Sequence, residues 1–69
     1  MQREERGEVA EQLQRALDAR VVIEQAKGAL VAREGLTERD AFERMRRQAR
    51  SERRPIVEVA SEVMATLRP

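Results

Sequence analysis

Downstream of Pro55, the residues Ile56, Val59, Ala60, Val63, Met64 and Leu67 recur at i, i+3, i+4, i+7, i+8 and i+11 without a fault. At 3.6 residues per turn this spacing draws one continuous apolar stripe, so the segment can bury a single face only as a helix. The rest of the chain keeps the same period. Ala41, Phe42, Met45 and Ala49 fall at i, i+1, i+4 and i+8, and Val22, Ile23, Ala26, Ala29 and Leu30 form a broader stripe upstream. No run alternates apolar and polar residues as a half-buried strand does. The pattern predicts an all-α fold: a three-helix module with a long N-terminal helix forming a short coiled coil.

Local signals divide the helices. The first is expected from roughly Glu8 to Arg33, or from nearer Arg3 if Gly7 is tolerated, a span on the order of 40 Å. In its first half Val9, Leu13, Ala16 and Leu17 make a narrow stripe on a charged helix, the pattern of a dimer seam barely two heptads long. Gly35 is placed to end this helix in a left-handed conformation. Thr37 then suits an N-cap, with Asp40 three residues on in the manner of a capping box. The second helix is predicted from Glu38 to about Arg50, and Pro55 fits the first position of the third, where a missing N–H loses nothing. The expected organisation is a helical, coiled-coil extension over 1–12 followed by one binding domain over 13–67.

Composition narrows the function. Sixty-nine residues make one small domain. The chain has no cysteine and no histidine, which removes disulfides, thiolate metal sites and the usual general base. It also has no glycine-rich phosphate loop, and Glu4, Glu5, Glu8 and Glu11 read as a solvated helix face. Neither an enzyme, nor a metal site, nor a cofactor is expected. The longest apolar run, Ala29-Leu-Val-Ala32, is far short of the roughly 20 residues of a membrane span. With no signal-peptide pattern at the start, the expected place is the cytoplasm, without membrane contact.

Charge is unevenly placed. Met1 to Asp18 carries three arginines against five acids, whereas Arg39 to Arg54 carries seven against three. Thirteen of the fourteen basic residues are arginine, whose planar fork binds phosphate bidentately. Arg46 and Arg50 project together, Arg39 precedes them on the same side, and Arg53 and Arg54 extend the patch into the following turn. The one lysine, Lys27, is followed by Gly28 inside a helix, where a glycine costs about 1 kcal/mol relative to alanine. Gly28 therefore either admits a crossing helix such as the third or opens the surface to a ligand. Spacing by itself favours the crossing helix, and it equally allows the arginines to be an ordinary solvated face.

Four ordered blocks shift that balance: Arg20-Val-Val-Ile-Glu-Gln-Ala-Lys-Gly-Ala-Leu30, Gly35-Leu-Thr-Glu-Arg-Asp-Ala-Phe42, Met45-Arg-Arg-Gln-Ala-Arg50 and Arg53-Arg-Pro-Ile-Val-Glu-Val-Ala60. Together they resemble the ANTAR domain, the RNA-binding module of bacterial transcription antitermination regulators, over about Leu13 to Met64. The resemblance implies a three-helix module on a coiled-coil helix through which two chains pair as a homodimer. It also implies a nascent RNA target with two small stem-loops, whose stabilisation prevents a terminator hairpin, and a sensor of receiver or GAF type in the parent protein. The positions matching the family's motifs are Gln25, Ala26, Lys27 and Gly28, then Arg46, Arg47, Ala49 and Arg50, with Arg54 in the next turn. Helical projection and charge assign Lys27, Arg47 and Arg54 to phosphates, Arg46 and Arg50 to loop bases, and Gly28 to close approach. Ala26 and Ala49 would let the first two helices pack tightly. Pro55 departs from the family pattern at a variable position. Charge and periodicity also fit an alternative, a helical dimerisation or protein-interaction module of a signalling regulator without direct RNA contact.

Overall fold

A computed structural model describes residues Gln2–Leu67, with side chains from Gly7 onward. Three helices follow in order: α1 (Gln2–Glu34), α2 (Glu38–Glu52) and α3 (Ile56–Ala65), with no strand among the described residues. The all-α, three-helix expectation holds. The Glu4 and Glu5 side chains, expected on a solvated face, lie outside the described residues.

Each boundary has a local cause. α1 starts earlier than Glu8 and runs through Gly7, whose cost of about 1 kcal/mol in a helix is offset by Arg, Glu and Gln neighbours that are good helix formers. It ends at Gly35, whose N–H still donates to the Val31 carbonyl at 3.0 Å while its φ of 69° turns the chain out of the helix. Thr37 Oγ1 then accepts the Asp40 N–H at 3.1 Å and opens α2. α2 runs two residues past Arg50 and stops where Arg53 turns left-handed, at φ 54° and ψ 48°. The Arg54 N–H returns to the Ala49 carbonyl at 3.0 Å, which satisfies a last-turn acceptor. Pro55 precedes α3 instead of occupying its first position. At φ −62° and ψ 143° it redirects the chain after the left-handed turn, and its carbonyl accepts the Glu58 N–H at 3.0 Å.

The core is small and rich in alanine. Ala26 and Leu30 of α1, Ala41, Met45 and Ala49 of α2, and Val59 and Ala60 of α3 are buried together. Val22, Ile23, Val31, Leu36, Ile56, Val63 and Met64 close over them. Four alanines among seven core positions allow close helix approach, as expected for Ala26 and Ala49. The C-terminal ends of α1 and α3 lie together, tied by Arg33 Nη1 donating to Thr66 Oγ1 at 2.8 Å. Leu67, the last position of the predicted stripe, is exposed, because α3 has already ended at Ala65.

The molecule is 50 Å long but only 26 by 22 Å across, since the first half of α1 projects beyond the bundle. On that projection Val9, Leu13 and Leu17 are each more than half exposed, and Val21 continues the row to the edge of the domain. Ala16 is exposed beside them.

Candidate nucleic-acid interface

The rotation of α1 decides which of its motif residues can act together. With about 100° per residue, the Ala26–Leu30 seam faces the core, Lys27 lies about 80° to one side and Gln25 about 120° to the other. Gly28 points directly away, roughly 180° from the seam. It is exposed, and an added Cβ would meet nothing within 4 Å. The crossing-helix reading of Gly28 therefore fails: α3 packs on the opposite face. Gln25 is also exposed, on the side away from Lys27.

Lys27 joins α1 to α2. Its side chain is only 18% exposed, its Nζ lies 5.8 Å from the Phe42 ring centroid, and Glu24 Oε1 sits 3.3 Å from the same ammonium. Phe42, expected to share the core stripe, stands half-buried at the rim, where its ring holds the cation by its face. Arg46 follows Phe42 by one turn on the same edge of α2, and Arg50 follows Arg46 by another. Both are exposed, and Arg46 meets Glu43 only at 3.6 Å. Arg47 is exposed on the outward face beside Arg50. Lys27, Phe42, Arg46 and Arg50 thus line one edge, with Arg47 at its shoulder.

Arg54 is placed differently. Its guanidinium grips Glu62 with two bonds, at 2.6 Å and 2.5 Å, takes Glu52 Oε1 through Nε at 2.6 Å, and lies 3.9 Å from Glu58. Only 22% of the side chain is exposed. The paired hydrogen bond from Arg54 holds the Glu62 carboxyl below the usual carboxylate range, and the same bond raises Arg54 further above its ordinary value. This arginine clamps the α2–α3 turn to α3. Carboxylates at positions 58 and 62, four apart on one helix face, were the sequence signal for it.

Arg53 shows the opposite arrangement. It is exposed, and among the described residues it makes no ion pair. Its left-handed backbone costs an L-residue roughly 1–2 kcal/mol, while a positive charge at a helix C-terminus gains only about 0.3–1 kcal/mol.

On another side of the bundle, an open cleft of about 440 Å³ is lined by Leu30, Arg33, Glu34, Arg44, Gln48 and Thr66, among others. Its cations are already used: Arg33 donates to Thr66 and Arg44 to Glu34. The bond from Arg44 also holds the Glu34 carboxyl below its ordinary range. Sequence reading missed this pair, which joins residues ten apart across the α1–α2 turn.

The described residues contain no group of three or more His, Cys, Asp or Glu side chains able to hold a metal, and no helix long and apolar enough to cross a membrane.

The family model of the ANTAR domain matches residues 11–64. The transcriptional regulatory protein PdtaR of Mycobacterium tuberculosis, from two strains, is 43% identical over 61 residues, which is 88% of this chain and 29% of that protein. The chain thus spans less than a third of the length of the curated relatives it matches. No solved structure matches. By the extent of the family match, this chain belongs to the ANTAR domain family.

Proposed function

We propose that the chain binds structured RNA and acts as a transcription antitermination module, stabilising a two-hairpin leader structure at the expense of a terminator hairpin. One observation carries the reading: a cationic edge runs across two helices, with the Lys27 ammonium held over Phe42 and Arg46 and Arg50 exposed in line with it. The family and its transcriptional-regulator relative supply the context. Arg47, at the shoulder of that edge, adds a phosphate contact. Gln25 and Gly28 face other directions and belong to a second strand segment passing over α1, or to a second chain. Loop bases stack on guanidinium planes, because the one aromatic ring is already covered by Lys27.

The exposed row along the first half of α1 brings two copies together, one for each hairpin. In the parent protein a sensor domain, of receiver or GAF type, governs the pairing.

The test is a titration against an RNA with two adjacent hairpins, an RNA with one, and duplex DNA of equal length, at several salt concentrations. The two-hairpin RNA is expected to bind most tightly. Equal affinity for the DNA would remove the reading and leave a protein-interaction module. Replacing Arg46 and Arg50 together by Ala should abolish discrimination between loop sequences.

A further inference from the structure

We infer that Arg53, rather than its neighbour Arg54, is the RNA-phosphate contact supplied by the turn between α2 and α3. The inference rests on the RNA-binding reading above and asks which residue of the turn takes part in it.

Two adjacent arginines occupy this turn, and the fold treats them in opposite ways. Arg54 spends its donors on Glu52 and on both oxygens of Glu62, with Glu58 close by. A phosphate would have to break a bidentate carboxylate pair and compete with three negative charges to reach it. Arg53 has no such partner among the described residues and is exposed. Its spacing also fits. Arg46 and Arg50 follow Phe42 along one edge of α2, and Arg53 begins the turn directly after that helix, three residues beyond Arg50.

The backbone supplies an independent argument. Arg53 is the one described residue other than glycine with a positive φ, and glycine or asparagine would make this cap at lower conformational cost. Arg50 already places a positive charge in the last turn of α2, so the helix end does not need a second one. An arginine kept at a strained position, exposed and unpaired, at the end of a cationic edge has its fork available for phosphate.

The whole chain would be compared with Arg53→Gly, Arg53→Lys and Arg54→Gln by thermal unfolding and by affinity for the two-hairpin RNA across a salt series. Arg53→Gly is expected to unfold at a higher temperature and yet bind roughly ten- to a hundredfold more weakly, the loss of about one charged hydrogen bond. Its salt slope should fall by about 0.7–0.9, one phosphate contact. Arg53→Lys should recover the slope. Arg54→Gln should unfold at a lower temperature with its slope unchanged. Wild-type affinity and slope in Arg53→Gly would overturn the assignment while leaving RNA binding in place. A wild-type chain that prefers neither RNA over duplex DNA would overturn the functional reading, and this inference with it.

Discussion

Gly28 lies mid-helix, exposed, with open space where its side chain would be. Nothing inside the domain requires a glycine, so Gly28→Ala should stabilise the fold by about 0.5–1 kcal/mol. For a domain of this size that is a rise of several degrees in unfolding temperature. If the open face serves a partner, the same variant will lose RNA affinity or self-association as it gains stability. A rise in stability with no loss of either would show that the glycine serves neither. Gly35 predicts the reverse: at φ 69° an alanine should cost roughly 1–2 kcal/mol. The sequence placed Gly35 correctly because a helix end is a local matter. It left Gly28 open between a crossing helix and a ligand, because the direction of its missing side chain matters only relative to where α3 packs.

At the scale of elements, the alanine-rich contact makes the module sensitive to volume. Met45 is one of the largest fully buried side chains, and Met45→Ala should cost about 2–5 kcal/mol. Against a total of roughly 3–10 kcal/mol for a chain this short, that change alone can unfold it, as circular dichroism would show. The free half of α1 makes a different prediction. Val9, Leu13, Leu17 and Val21 are spaced strictly by four, so their row turns about 40° with each step. A row of i+4 ridges favours a crossing near −50° over a long seam in register. The chain has no cysteine, so single cysteines can be placed at positions 9, 13, 17 and 21. A crossing pair should form a disulfide efficiently at one or two neighbouring positions, whereas a parallel coiled coil would link the inward positions along its length. Periodicity made the helices and the stripe legible. The angle between two such helices was not, because it depends on which ridges meet.

For the whole molecule, acid stability follows from the clamps that close the bundle. Hydrogen bonds from Arg54 and Arg44 depress the Glu62 and Glu34 carboxyls in the folded state. A depressed carboxylate stabilises the fold above its unfolded pKa and loses that contribution as pH falls through the folded value. The unfolding temperature should therefore be flat near neutrality and fall below about pH 4. In Arg54→Gln the Glu62 part of this fall should vanish, giving a shallower acid limb from a lower plateau. An identical acid limb in both proteins would mean that the clamp adds nothing to stability, as exposed ion pairs often do not.

The sequence by itself determined the three helices, the turn at Gly35, the Thr37 cap, the cluster of arginines and membership of the ANTAR family. Each depends on residues within one or two turns of each other, or on an ordered string of short blocks. Only the tertiary structure decided that Lys27 settles over Phe42, that Gly28 faces away from α3, and that Arg54 is held by α3 while Arg53 stands free. These outcomes depend on how α1 and α2 are rotated about their axes when seven core residues, four of them alanine, close together. That rotation is set by packing between helices, and a helical stripe fixes only which face turns inward, not which neighbour each flank will meet.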